Sequence, residues 1–81
     1  MTRQQFESQA QEWARVLAGL RDRACQQVRR WDILITSASD DRKAEYLRRR
    51  EPHAQSMKTF EVAVRNHEEM VDRALAEWGN D

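Results

Sequence analysis

The chain has few of the residues that break helices, form disulfides or span membranes. Its 81 residues include two glycines, one proline and one cysteine, and its 14 basic and 14 acidic side chains cancel. A single cysteine cannot form an internal disulfide, which argues against a secreted disulfide scaffold and favours a reducing, cytoplasmic location. No apolar run approaches the roughly 18 residues of a membrane span, and the N-terminus lacks the apolar segment of a signal peptide, so no membrane association is expected. The balanced charge also lacks the positive field typical of nucleic-acid binders.

The residues that are abundant favour helices. Charged residues make up 35% of the chain and apolar residues 40%, and Gln, Arg, Glu and Ala, which are prominent, all have high or adequate helix propensity. A chain of this length buries only about 60% of the surface that it exposes when unfolded, so its own core is expected to be marginal. These features predict an all-α fold with one domain over residues 1–81, completed by a second copy or a partner.

Apolar side chains recur in the first half of the chain at the three- and four-residue steps of a coiled coil. The set predicted to face another helix is Phe6, Ala10, Trp13, Leu17, Leu20, Ala24, Trp31 and Leu34, with Gln27 as the one break. Thr2 and Gln5 have the spacing of a capping box, so the first helix is predicted over about residues 3–36. Short polar side chains predict a turn over residues 37–39, with Ser39 as the next N-cap.

The second half of the chain is predicted to fold back as another helix that begins at Asp40. Pro52 lacks an amide donor and crowds the preceding turn, so this helix is predicted to be kinked or interrupted there. The resulting segments cover about residues 40–51 and 53–78, and Gly79 is predicted to end the second of them.

A second apolar stripe is predicted to meet the first in an antiparallel helical hairpin. Its members are Ala44, Tyr46 and Leu47 before the proline, and Met57, Phe60, Val64, His67, Val71, Ala74 and Trp78 after it. A short turn forces the two helices to run antiparallel, which places residue i of the first helix near residue 76 − i of the second, to about one residue. The pairing sets Trp31 beside Tyr46, and Ala10 beside His67.

The apolar surface predicted for this hairpin is wider than the hairpin alone can cover. The surplus residues assigned to a protein interface are Val28, Ile35, Met70, Leu75 and Trp78. A four-helix bundle made by two copies would cover them. Residues 21–50 carry nine basic and five acidic side chains, whereas residues 51–81 carry three and seven. An antiparallel homodimer, which brings unlike charges together, is therefore expected.

A basic cluster near the predicted turn is the sharpest functional feature of the sequence. Its members are Arg42, Lys43, Arg48, Arg49 and Arg50. Guanidinium groups at one helix end can bind phosphates, and Tyr46 can stack on an unpaired base. The alternative is a solvated face neutralised by nearby acids. Nucleic-acid binding, for example to structured RNA, is therefore a second hypothesis behind protein binding.

The two ends of the sequence resemble those of the Rop family of plasmid copy-number regulators. The likeness lies in Met1-Thr2-Arg3-Gln4 and Trp78-Gly79-Asn80-Asp81, about eight residues with no diagnostic motif. It implies the architecture of that family, an antiparallel dimer of helical hairpins that binds RNA. No functional residue is carried over, because this chain is longer and has Pro52 in its second helix.

Residues that commonly carry chemistry are isolated in this sequence. A di-metal site in a helical bundle needs Glu three residues before His, and Arg50 and Val64 occupy those positions relative to His53 and His67. His67 falls on the apolar stripe and is expected to be a hydrogen-bonded core residue, whereas His53 is expected to be exposed. Cys25, expected on the outer side of the first helix, has no histidine near it to act as a base.

The function predicted from the sequence is therefore that of a small interaction or regulatory module. No enzymatic activity, metal or cofactor is expected, because nothing in the sequence supplies a nucleophile with a base or a set of ligands. An adaptor, inhibitor or co-chaperone of bacterial, plasmid or phage origin, which binds a partner through its apolar helical face, fits this description.

Overall fold

The chain folds into two long α-helices joined by a two-residue turn. A computed structural model describes residues 1–78, so the predicted stop at Gly79 lies outside the described residues. Helix α1 spans Arg3–Ser37 and helix α2 spans Asp40–Ala76. They pack side by side as an antiparallel hairpin about 62 Å long. The predicted all-α helical hairpin is confirmed.

The predicted capping box at the start of α1 is confirmed. The Gln5 amide donates to Thr2 Oγ1 at 3.1 Å, and the Thr2 amide donates to Gln5 Oε1 at 2.9 Å. Ser39 is the N-cap of α2, as predicted, but its side chain makes no capping hydrogen bond. Asp40 and Asp41 place negative charge in the first turn of α2, where the helix dipole favours it.

The two N-caps should differ in their contribution to stability. Thr2→Ala removes the side-chain acceptor of a formed capping box, and we expect it to lower the free energy of unfolding by about 1 kcal/mol. Ser39→Ala is the matched control, with an expected loss of less than half that amount, because Ser39 makes no such bond. Urea denaturation followed by circular dichroism measures both. Equal losses from the two variants would contradict the assignment.

Helix α2 continues through Pro52 as one helix. The interrupted form predicted from the sequence is therefore not observed, while the kink stays a prediction. The ring of Pro52 is exposed, so the carbonyl that loses its amide donor lies on the solvent side of α2, where water can bond to it. On the other side, Ala54 is buried and His53 half-buried against α1, which holds both arms of α2 to the same partner.

The two helices meet along an uninterrupted heptad seam. In α2, the seam residues are Lys43, Tyr46, Arg50, His53, Met57, Phe60, Val64, His67, Val71, Ala74 and Trp78, all half-buried. The whole stripe predicted after Pro52 therefore lies in the seam. Of the residues predicted to face α1 before the proline, only Tyr46 lies in the seam, because Ala44 and Leu47 are exposed. His53 is half-buried rather than exposed, which corrects its predicted position.

In α1 the seam has a different phase from the predicted stripe. Its residues are Glu7, Ala10, Ala14, Leu17, Arg21, Ala24, Val28, Trp31 and Ile35, all half-buried or buried. Trp13 and Leu34, which were predicted to face α2, are 61% and 45% exposed. The small side chains of Ala10, Ala14 and Ala24 let the two backbones approach closely, whereas Trp13 in the seam would hold them apart.

Two contacts confirm the predicted pairing of the helices to within one residue, and a third, between Phe6 and Trp78, lies eight residues from the predicted partner of Phe6. Nε2 of His67 donates to the carbonyl oxygen of Ala10 at 2.9 Å. The rings of Trp31 and Tyr46 lie with their centroids 5.6 Å apart near the turn. At the open end, the ring of Phe6 contacts that of Trp78, with centroids 5.3 Å apart. Both ends of the seam are thus closed by aromatic pairs.

Candidate protein-interaction surface

One side of α1 exposes a row of large apolar side chains next to the seam. The row, which we call the apolar stripe, consists of Phe6, Trp13, Leu20 and Leu34. Its members are separated by multiples of seven residues, which is about two helical turns, so they lie on one line along α1. Phe6 and Leu20 are half-buried at its seam edge, whereas Trp13 and Leu34 are exposed. Gln27 occupies the remaining position of the row.

Helix α2 extends this apolar surface at the end of the hairpin that carries the termini. Met70 is 53% exposed, and Ala63, seven residues earlier, is half-buried. The pairing of residue i with residue 76 − i sets Met70 at the level of Phe6 and Ala63 at the level of Trp13. The apolar stripe and these two residues thus form one face that crosses both helices.

The opposite edge of the seam carries a groove of different character. The groove has a volume of about 450 Å³ and lies near the termini. Ala10, Ala14 and Val71 form its apolar floor, and the carboxylates of Glu68 and Asp72 lie at its rim. Its mixed lining distinguishes it from the apolar stripe.

The structure brings the basic cluster to the turn end of the hairpin, and acids pair with three of its members. Arg50 Nε lies 2.7 Å from Asp32 Oδ1 across the seam. Arg49 and Glu45 form an ion pair at 2.7 Å within α2. Lys43 lies 3.8 Å from Asp40. Arg42 and Arg48 are exposed. The cluster therefore resembles a partly neutralised helix face more than a continuous phosphate-binding surface.

The interface residues predicted from the sequence occupy different environments. Val28 is only 5% exposed and Ile35 is half-buried, and both belong to the seam inside the hairpin, so their assignment to surplus surface is corrected. Leu75 is half-buried and lines the groove. Trp78 is half-buried on Phe6. Met70 alone among the five is largely exposed.

Sequence reasoning placed the residues of the apolar stripe in the seam rather than on this face. The sequence did contain a signal for them, because positions 6, 13, 20 and 34 form one row at seven-residue spacing. Positions 10, 17, 24 and 31 form a second row, which lies beside the first along the surface of α1. The prediction merged the two rows into a single stripe. Only the second row lies in the seam.

The histidines and the cysteine form no reactive constellation. His67 is half-buried and hydrogen-bonded to the backbone of α1, which confirms its predicted structural role. Cys25 is half-buried beside the seam rather than on the outer side of α1. Over residues 1–78, no group of three or more histidine, cysteine or acidic side chains is arranged to bind a metal ion.

Within the same residues, neither helix has a segment long and apolar enough to cross a bilayer. No protein-family model matches the sequence, and no curated protein and no solved structure matches it either. The function is therefore argued from the surface of the hairpin.

Proposed function

We propose that this chain is a non-enzymatic protein–protein interaction module that acts as an antiparallel homodimer. The observation that carries the proposal is the apolar face formed by the apolar stripe, Met70 and Ala63. Side chains such as Trp13, Leu34 and Met70 each contribute roughly 1.5–3 kcal/mol when they pass from water to a buried site. A second hairpin packed on this face would gain that contribution from both copies.

The thinness of the hairpin core supports the same proposal. Among residues 1–78, the buried apolar side chains are Ala24, Val28 and Ala54, and two of them are alanines. Stable domains enclose their core between at least two packed layers of secondary structure. Two helices in contact make a single layer, and a second hairpin supplies the other.

The mass of the chain in solution tests the homodimer. We expect sedimentation equilibrium at micromolar concentration to give twice the 9.6 kDa mass of the chain, because the exposed apolar face favours association. A well-folded monomer at those concentrations would overturn the homodimer. The apolar face would then be assigned to a different protein, as in an adaptor, an inhibitor or a co-chaperone.

The alternative is a binder of structured RNA that uses the basic cluster. Exposed Arg42 and Arg48 support it, because among residues 1–78 neither forms an ion pair, whereas Lys43, Arg49 and Arg50 do. Two arginines give a smaller and less salt-dependent contribution to phosphate binding than five. The alternative therefore has less support than protein binding.

A further inference from the structure

The surface of α1 carries a hollow next to Leu20 that nothing within the hairpin fills. Arg15, Val16, Gly19, Leu20 and Arg23 line it, and its volume is about 220 Å³. A Cβ atom added at Gly19 would have no neighbour within 4 Å. Glycine inside a helix is less favourable than alanine by roughly 0.5–1 kcal/mol, and no contact in the hairpin requires glycine at this position.

The hollow has the geometry of a hole for the side chain of another helix. Val16, Gly19, Leu20 and Arg23 are spaced i, i+3, i+4 and i+7. Four residues with this spacing form the hole that receives one knob in coiled-coil packing. Because Gly19 has no side chain, the knob can enter deeply.

The hole lies at the middle of α1, which spans Arg3–Ser37. We infer, on the basis of the proposed homodimer, that the twofold axis of the dimer lies between the two copies at this level of α1. Helix α1 then packs antiparallel against α1 of the second copy, and each Leu20 enters the hole at Gly19 of the other copy. Such an axis brings residue i of α1 opposite residue 39 − i or 40 − i of the second copy.

The two ends of the apolar stripe complement each other under this operation. Phe6 comes opposite Ile33 and Leu34 of the second copy, and both of these are exposed in the hairpin. Trp13 comes opposite Gln26 and Gln27 of the second copy, whose aliphatic stems can cover the indole ring. The stripe therefore matches itself when one copy is reversed.

The charges along α1 favour the same direction. Arg23 and Arg30 are exposed beside the apolar stripe. In the antiparallel dimer they face Val16 and Gln9 of the second copy. In a parallel dimer, each arginine would face the same arginine of the second copy, and the two like charges would repel each other.

The charges along α2 agree with those along α1. The same axis places residues 42–50 opposite residues 65–73 of the second copy. The first segment carries five basic and one acidic side chain, and the second carries two basic and three acidic. In a parallel dimer, residues 42–50 of the two copies would face each other, and the two basic clusters would repel.

Cysteine cross-linking tests the position and direction of the axis. In a Cys25→Ser background, Leu20→Cys is expected to form a disulfide-linked dimer on mild oxidation, because the two copies meet at this residue within disulfide reach. Leu34→Cys alone is expected to remain uncross-linked. A mixture of Leu34→Cys and Phe6→Cys chains is expected to give the mixed dimer.

Two results would overturn this axis. Self-cross-linking of Leu34→Cys would show a parallel dimer, and absence of cross-linking of Leu20→Cys in a preparation that sediments as a dimer would show a different interface. A monomeric mass for the unmodified chain would instead refute the proposed homodimer itself. The two failures are therefore distinguishable.

Filling the hole provides a second test that uses no cross-link. Gly19→Leu is expected to keep or increase the helix content of the chain, because leucine favours helices and a Cβ atom at this position meets no neighbour within 4 Å. It is expected to raise the dissociation constant of the dimer about tenfold or more, because overpacking excludes the knob. Ser8→Leu, at an exposed position on another side of α1, is the control. An unchanged dissociation constant for Gly19→Leu would overturn the knob-and-hole contact.

Discussion

Replacement of Ala24 with phenylalanine is expected to cause a large loss of stability. Ala24 is buried, and the pairing of the helices sets it opposite residues 52–53, beside Ala54, which is also buried. Two alanines at one level set a close approach of α1 and α2. A phenyl ring at position 24 would have to push the helices apart over several turns, so the neighbouring contacts of Val28 would weaken as well.

The expected size of this effect is set by overpacking. Inserting extra carbons into a packed core typically costs about 1–3 kcal/mol and occasionally more, and a chain of 81 residues has a total stability of only about 4–12 kcal/mol. A loss near 3 kcal/mol would lower the melting temperature by roughly 12–24 °C. Thermal unfolding followed by far-ultraviolet circular dichroism, which reports helix content, measures it.

Ala44→Phe is the matched control for Ala24→Phe. Ala44 is exposed on α2, so the same substitution meets solvent there and should cost no more than the difference in helix propensity, roughly half a kcal/mol. If both variants lose the same stability, the close approach of the helices at Ala24 is not what holds the hairpin together.

The ends and the register of the hairpin could be predicted because local chemistry decides them. Thr2 and Gln5 cap each other wherever a helix begins, and the polar residues of the turn limit how far each helix extends. Once the turn is short, the pairing of the helices follows from arithmetic. The contact of His67 with Ala10 agrees with that arithmetic to within one residue.

The phase of the seam could be predicted in α2 after Pro52 but not in α1. From Met57 to Trp78 five of the eight large apolar residues follow the steps of the seam, and the other three, Val62, Met70 and Leu75, form no second row of that spacing, so periodicity identifies the buried face. In α1 two rows lie side by side, and periodicity gives only their common direction. The choice between them depends on how closely the helices approach, which favours the row with Ala10 and Ala24 over the row with Trp13.

The same ambiguity explains the misplaced interface residues. Val28 and Ile35 were assigned to surplus surface because Trp13 and Leu34 had been given the seam. In the structure, the seam lies one position further along α1, so Val28 and Ile35 lie in the seam and Trp13 and Leu34 are exposed. The ion pair between Arg50 and Asp32 could not be predicted either, because these residues are 18 apart in sequence and their contact depends on the phase of the seam in α1.

Replacement of Met70 with glutamate is expected to convert the proposed dimer into a folded monomer. Met70 is 53% exposed in the hairpin, so a carboxylate there stays in water and the hairpin should keep its helix content. In the dimer, the methionine side chain would be buried in both copies because the interface is symmetric. Glutamate forfeits its contribution of roughly 1.5–3 kcal/mol at each of the two sites, so the dissociation constant should rise by at least about a hundredfold.

Val62→Glu separates an effect on the interface from an effect on α2 itself. Val62 is 43% exposed in the hairpin, close to the value for Met70, and glutamate changes size, polarity and charge at both positions. Val62, however, lies on the side of α2 that points away from the seam, while Met70 lies at the level of Phe6 on the apolar face. Sedimentation at matched micromolar concentrations should therefore give a mass near 9.6 kDa for Met70→Glu and twice that for Val62→Glu. If both variants dissociate, added negative charge anywhere on α2 is enough to dissociate the dimer, and the apolar face is not its interface. If Met70→Glu remains a dimer, the contact lies on another surface of the hairpin. The groove with acidic side chains at its rim, on the opposite edge of the seam, is then the next surface to test.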